Sequence, residues 1–265
     1  MNIIDPMSIL SVPLRIRSHN GSILGTATGF FWRKSNGKTY LVSNHHVFSG
    51  NHYATKTSLR QDSAFPGMVD YPRFVSPQHV HERQLHTIEL CDEAGNDPVW
   101  RTHPIDKQRS SDVAVVEVPT MADDQTYVYA VNDDHLRECD QPLSRYPPGF
   151  ELMIVGFFLE DRPTGYFPTY IHGSVASEMD ALYHGKRAFL VDALTSSGMS
   201  GSPVFATGLE QFEPDKKFSS FKTVPRFLGI YSGRIIEREN GAKRELQVGI
   251  VWRRELIQEI VELCE

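Results

Sequence analysis

The sequence predicts an all-β protein, and three observations carry that expectation. Runs of β-branched and aromatic residues are short and separated by tight turns containing glycine, asparagine and serine. No helical stretches alternate with them, which sets aside the βα architectures. Apolar residues at helical spacing stand out only near the C-terminus, at 256, 257, 260, 261 and 263 within Arg253 to Leu263.

Taken in order, Val12-Pro-Leu-Arg-Ile-Arg alternates, His19-Asn-Gly-Ser22 turns, and Ile23 to Trp32 returns as the second arm of a hairpin. Ser35-Asn-Gly-Lys38 turns into Thr39-Tyr-Leu-Val-Ser43, and Asn44-His-His-Val-Phe-Ser-Gly50 ends that strand in a loop or one helical turn. From about 54 to 80 the pattern fades around Pro66, Pro72 and Pro77, so a surface insertion is expected. Regularity returns at His86-Thr-Ile-Glu-Leu-Cys91 and Val99-Trp-Arg, and Asp112 heads the β-branched run Asp112-Val-Ala-Val-Val-Glu-Val118. Residues 120–150, with Asp123, Asp124, Asp133 and Asp134 and three prolines, read as a solvated linker between two halves. The second half offers Glu151 to Phe158, Thr169 to Ser177, Ala188 to Asp192, Phe227 to Gly233 and Leu246 to Val251 as strands, with a charged insertion at about 207–226. The C-terminal helix closes the chain, with Arg253 and Arg254 exposed at its entrance.

At 265 residues, 40% apolar and 23% charged, the chain has the composition of a folded globular protein. A net charge of −6 gives no electrostatic basis for a nucleic-acid partner. Cys91, Cys139 and Cys264 are odd in number and widely spaced, so neither a disulfide framework nor a Cys-x-x-Cys metal site is expected, and a reducing compartment fits. No apolar run is long enough to span a membrane, and the N-terminus lacks a basic segment leading into an apolar one. A cytoplasmic protein without a membrane partner is therefore expected. His79, His81 and His86 lack metal-ligand spacing, so no metal is expected.

The chemistry concentrates at Thr195-Ser-Ser-Gly-Met-Ser-Gly-Ser-Pro-Val-Phe205, where Ser200 stands between glycines in a turn that enters an apolar strand. Glycine at 198 and 201 permits backbone angles that bring the N–H groups of Gly198 and Ser200 towards one point, a candidate oxyanion site. A serine hydroxyl does not ionise near neutral pH, so it needs a base and a group that orients the base. His45 and His46 are both candidate bases, and Asp112 is the carboxylate best held by strand structure. The order His, Asp, Ser belongs to one of three unrelated triad lineages and differs from that of the Gly-x-Ser-x-Gly hydrolases.

These motifs resemble those of the trypsin-like, chymotrypsin-fold serine peptidases, especially disulfide-free bacterial members such as Deg-type proteases and glutamyl endopeptidases. Ser43-Asn-His-His-Val47 is similar to the family's Thr-Asn-x-His-Val, Ser111-Asp-Val-Ala-Val-Val116 to its aspartate strand, and Asp192 to Phe205 to its serine loop. The resemblance implies two six-stranded antiparallel β-barrels with a C-terminal α-helix. One peptidase domain would span 1–265, with the first barrel over about 10–125 and the second over about 145–265. His46, Asp112 and Ser200 would form the triad, with Gly198 and Ser200 as oxyanion donors. Leu194, Thr195, Ser196, Ser197, Tyr231, Ser232, Gly233 and Arg234 would border the substrate, and Ser232 would hydrogen-bond Asp112. Leu194 stands where trypsin carries its pocket aspartate, which favours a small or aliphatic residue before the cut, while Arg234 either fills the pocket or attracts an acidic side chain. Met199 replaces the aspartate of zymogen-activated animal enzymes. The implied activity is cofactor-free hydrolysis of protein or peptide substrates. An activating protein partner, or an inactive scaffold role, is the alternative. Stand-alone relatives of this type are often encoded in prokaryotic antiphage defence operons, where they cleave a companion protein.

Overall fold

The computed structural model describes residues 5–62, 64–76, 80–92, 97–104, 111–119, 126–133, 146–158, 167–207, 225–239 and 242–264. A short 3₁₀ turn, Pro6–Ile9, precedes the first sheet. That sheet contains β1 (Val12–Arg17), β2 (Ile23–Arg33), β3 (Thr39–Ser43), β4 (Met68–Phe74), β5 (Arg83–Glu89) and β6 (Ala114–Glu117), in the order β5-β4-β1-β2-β3-β6. All its ladders are antiparallel. The two outer strands are joined through the segment after β5: Cys91 bridges Pro98, and Arg101 exchanges both backbone hydrogen bonds with Val115 of β6. The sheet thereby curls into a barrel-like layer.

The second sheet is a closed barrel of β7 (Glu151–Gly156), β8 (Thr169–Val175), β9 (Ala188–Ala193), β10 (Pro203–Ala206), β11 (Arg226–Glu239) and β12 (Ala242–Arg253), in the order β10-β11-β12-β9-β8-β7. Two helices complete the described chain, α1 (His45–Ser49) and α2 (Arg254–Glu262). No described helix is long and apolar enough to cross a membrane.

Side-chain alternation builds three apolar clusters rather than two. Val12, Leu14 and Ile16 of β1 turn into the first sheet with Phe31, Leu41 and Tyr71. Leu152, Ile154, Phe189, Val191 and Val204 fill the second barrel. The lower half of β2 is buried on both faces, because Phe31 enters the first core while its neighbours Phe30 and Trp32 pack on Phe227, Trp252 and the helix residues Leu256, Ile257, Ile260 and Val261. Each such side chain removed from water contributes about 1.5–3 kcal/mol, so this third cluster is what joins the halves. Glu259 of α2 adds a polar tie, meeting His103 at 2.8 Å and Arg187 at 2.5 Å.

Three expectations are corrected. The stretch 54–80 is not simply an insertion, because it contains β4, which is buried and pairs with both β1 and β5. Pro72 disguises it. Phe74 exchanges backbone bonds with Tyr127, so Pro72, two residues earlier, turns its missing N–H to the same side, into the gap beyond Asp70 where pairing to β1 ends. Asp133 is not a solvated linker residue: it pairs with Arg33 at 2.7 Å and accepts the N–H of Ala130. Leu263 is exposed, since α2 ends at Glu262 and its buried face stops at Val261. Asp123, Asp124 and Asp134, Cys139, His79 and most of the 207–226 insertion lie outside the described residues.

Candidate active site

The first group of site residues comes from the end of β3. Asn44 caps α1 in an extended conformation, and its Nδ2 donates to the backbone carbonyl of Asp112 at 2.8 Å. That bond ties the start of the helix to the approach to β6. The Asp112 side chain, 2% exposed, accepts the backbone N–H of His46 on Oδ1 at 2.9 Å and meets His46 Nδ1 through Oδ2 at 2.6 Å. Ser232 Oγ donates to the same Oδ2. Three donors therefore converge on one buried carboxylate, which leaves the imidazole Nε2 free to face the cleft.

Burial alone raises a carboxyl group and lowers an imidazole, but the pair reverses both. Burial pushes Asp112 up, yet the His46 charge and the hydrogen bonds from His46 and Ser232 outweigh it, and the carboxyl lies below its ordinary value. Burial likewise pulls His46 down, and the Asp112 charge and hydrogen bond hold it above the ordinary imidazole value. His45 has no such partner. Burial, then the Lys56 charge, lower it to about 4, and its ring packs edge-on against Trp100 with Nδ1 3.1 Å from Ser49 Oγ. Of the two adjacent histidines, the structure brings only His46 to a carboxylate side chain.

The second group lies on the turn between β9 and β10. The Ser196 carbonyl accepts the Met199 N–H at 3.3 Å, and Gly198 has φ +95°, the left-handed position that a type II turn assigns to its third residue. A Cβ at Gly198 would lie 2.7 Å from the Phe157 carbonyl, so the position excludes a side chain on space as well as conformation. Gly201 is held harder: a Cβ there would approach the Thr28 carbonyl to 2.0 Å and Ser43 Oγ to 2.4 Å. The N–H groups of Gly198 and Ser200 have no acceptor among the described residues. Met199 is fully buried in the second barrel core, which pins the turn from below. Ser200 Oγ donates to the Ser232 carbonyl at 3.3 Å and is not within hydrogen-bond distance of His46.

A cleft of about 600 Å³ is lined by His46, Asp112, Ser200, Thr195, Ser196, Ser197, Tyr231, Ser232, Gly233 and Arg234 among others, and Gly198 is not part of that lining. Leu194, expected as a further wall, lies outside this lining and is 68% exposed. The reason is the period of two. Val191, Ala193 and Thr195 turn inward, so Asp192 and Leu194 turn out. Arg234 does not fill the cleft as a lone cation, because it pairs with Glu245 at 2.5 Å. The floor is formed by the Thr195 and Tyr231 hydroxyls, 2.5 Å apart, with the Tyr231 ring laid over Gly249, where a Cβ would be 2.5 Å from the ring. Past Tyr231 the ladder with β10 has ended, and among the described residues β12 is the one strand paired with β11, so one edge of residues 232–236 has no described strand beside it.

Sequence reasoning missed two parts of this region. The far wall carries Tyr53, packed edge-on to Trp252 and stacked on His52, with Lys186 Nζ 3.2 Å from the Tyr53 hydroxyl. Tyr53, just before the faded 54–80 region, and Trp252, in an apolar strand, lie far apart in the sequence, which gives no sign that they share a wall. Thr28 was the other omission, and its signal was present: one hydroxyl in the otherwise apolar run Ala27-Thr-Gly-Phe-Phe-Trp32.

The model of the trypsin-like peptidase domain matches residues 27–210, more than half of the chain. No curated protein matches the sequence. Among solved structures, Deg5 superposes with a TM-score of 0.51 at 16% identity, covering 96% of this chain and 88% of that one. The active form of the Rv3671c protease from M. tuberculosis gives a TM-score of 0.48 at 14% identity, covering 97% and 83%. At such identities the likeness concerns fold alone, while the family match reaches from β2 across His46, Asp112 and Ser200 to the segment after β10. The chain belongs to the trypsin-like peptidases and is a serine endopeptidase.

Proposed function

We propose that Ser200 is the nucleophile, His46 its general base and Asp112 the group that orients His46. Ser200 Oγ attacks the scissile carbonyl while its proton passes to His46 Nε2, and the carbonyl electron pair moves onto oxygen. The N–H groups of Gly198 and Ser200 receive that oxyanion, each such donor being worth about 2.7–4 kcal/mol in the transition state. Collapse breaks the C–N bond as His46 returns the proton to the leaving amine, and water hydrolyses the acyl-enzyme by the same route. The observation that carries this reading is the Asp112–His46–Ser232 cluster in the same cleft as Ser200, whose turn carries two N–H groups, of Gly198 and Ser200, without an acceptor among the described residues.

The unpaired edge of β11 supports substrate binding as an added strand along residues 232–236. The closed floor supports a small, uncharged side chain before the cut, because Tyr231 occupies the depth of the pocket and burying a charge against its hydroxyl pair is expensive. A second reading, an enzyme at rest until substrate or a protein partner orders it, is favoured by one observation. Ser200 Oγ is spent on the Ser232 carbonyl, the group an added strand would engage. A peptide library tests both readings. Cleavage after Gly, Ala, Ser or Val by the wild type and none by Ser200→Ala is expected. Equal cleavage by Ser200→Ala sinks the assignment, and cleavage that starts only with a partner selects the second reading.

A further inference from the structure

We infer that Thr28, on the first barrel, is a positioning residue that holds the nucleophile turn of the second barrel in its reactive form. The inference rests on the role proposed above for Ser200 and Gly198. Pairing of β2 with β3 begins only at Phe30 opposite Val42, because β3 gives way to α1 after Ser43. Thr28 therefore lies at a point of β2 with no strand beside it on that side, and the Ser200 turn takes the vacant place. The Thr28 N–H donates to the Ser200 carbonyl at 2.8 Å. Its Oγ1 donates to the Gly198 carbonyl at 2.9 Å and accepts the Phe157 N–H at 2.9 Å. Its carbonyl accepts from Ser43 Oγ at 2.8 Å and sits where a Cβ on Gly201 would be. Every polar group of Thr28 is thus used, and two of its bonds reach the nucleophile turn, one at the carbonyl of Ser200 itself and one at the carbonyl of Gly198.

These contacts act on the direction of the oxyanion donors. The Gly198 carbonyl is fixed by Thr28 and the Met199 N–H of the same peptide by Ser196, so that peptide plane cannot turn. With Gly198 at φ +95°, its N–H is then fixed as well. The Thr28 bond to the Ser200 carbonyl fixes the Ser200–Gly201 peptide, while the Met199–Ser200 peptide, which carries the Ser200 N–H, is held at its carbonyl by Ser202 Oγ at 2.6 Å. Preorganised donors stabilise a developing charge because they need not reorient during reaction, and Thr28 supplies that preorganisation from across the barrel junction. An apolar residue of the same shape would leave the Gly198 carbonyl and the Phe157 N–H competing for other partners, including each other's peptides.

Thr28→Val keeps the shape and removes the hydroxyl, and the pair Thr28→Ser and Thr28→Ala differ only in that hydroxyl. Active sites are titrated with a fluorophosphonate, and kcat per titrated site, KM and the pH profile are measured on a peptide substrate. Thr28→Val is expected to lose about 10–100-fold in kcat per site, the effect of one buried hydrogen bond serving one oxyanion donor. KM should change by less than about threefold, with the pH midpoint unmoved because His46 and Asp112 keep their contacts. Thr28→Ser should recover most of the wild-type kcat, and Thr28→Ala should not. Should Thr28→Val fail to fold, the serine and alanine variants decide alone. A lower titratable fraction with wild-type kcat per site, or equal serine and alanine variants, overturns the inference. A wild type that carries no adduct on Ser200 overturns the assignment of Ser200 itself, and the role of Thr28 with it.

Discussion

Asp112→Asn is the substitution whose outcome the geometry fixes most tightly. The amide has one oxygen and one NH₂ where the carboxylate had two acceptors. If the NH₂ took the Oδ1 position it would face the backbone N–H of His46 at 2.9 Å, donor against donor. The oxygen therefore stays there, and the NH₂ replaces Oδ2, which faces His46 Nδ1 at 2.6 Å and the Ser232 hydroxyl. Nδ1 must then accept, which places the imidazole proton on Nε2 and leaves nothing to take the proton of Ser200. In a Ser-His-Asp triad this wrong tautomer lowers kcat by about 10⁴, or roughly 5.5 kcal/mol of transition-state stabilisation. The shape is conserved and the Ser232 hydroxyl can turn to donate elsewhere, so the fold persists. The assay is kcat on a peptide substrate together with circular dichroism. A folded Asp112→Asn protein that loses less than tenfold in kcat would mean that His46 does not act through that carboxylate.

Gly201→Ala forces a Cβ to 2.0 Å from the Thr28 carbonyl in a left-handed position, so it should destabilise by about 2–4 kcal/mol, read as a fall in urea midpoint, and abolish labelling of Ser200. Tyr231→Val removes the ring over Gly249 and should extend cleavage from small residues to Leu, Met or Phe before the cut, measured as ratios of kcat/KM across a peptide series. Activity and stability should diverge with pH. In the proposed role of base His46 must be neutral, and its folded value is raised, so kcat/KM should climb through a midpoint above about 6.5. Stability from the raised His46 is complete below about 6.5 and is lost as pH rises through its folded value. Stability from the depressed Asp112 is present above about 3.9 and is lost as pH falls through its folded value. Thermal melts should therefore place the pair's largest contribution between those limits, below the pH of maximal activity.

The parts of the candidate site that were legible in the sequence are those a short motif can hold. Gly198, Ser200 and Gly201 lie within four residues, and His46 and Asp112 stand at strand ends where local pattern locates them. The class of fold was legible for the same reason, since alternation along β1 and β7 is local. What escaped depends on contacts between distant segments. β4 was masked by Pro72, whose tolerance depends on where β1 stops pairing. Leu194 was misplaced because motif alignment gives a position along the chain, while the pleat decides the face. The Tyr231 hydroxyl over Thr195 and the Thr28 bonds join residues that only the closed second barrel or the barrel junction makes neighbours, and the Arg234–Glu245 pair depends on the shifted register between β11 and β12.

The central claim is that Ser200 is a nucleophile made reactive by His46 and served by formed oxyanion donors. Reaction of the purified protein with a fluorophosphonate probe, followed by peptide mapping, tests it most directly. A single adduct on Ser200 is expected in the wild type, with at least a hundredfold slower labelling of His46→Ala. An adduct on another residue, or labelling of His46→Ala at the wild-type rate, would contradict it.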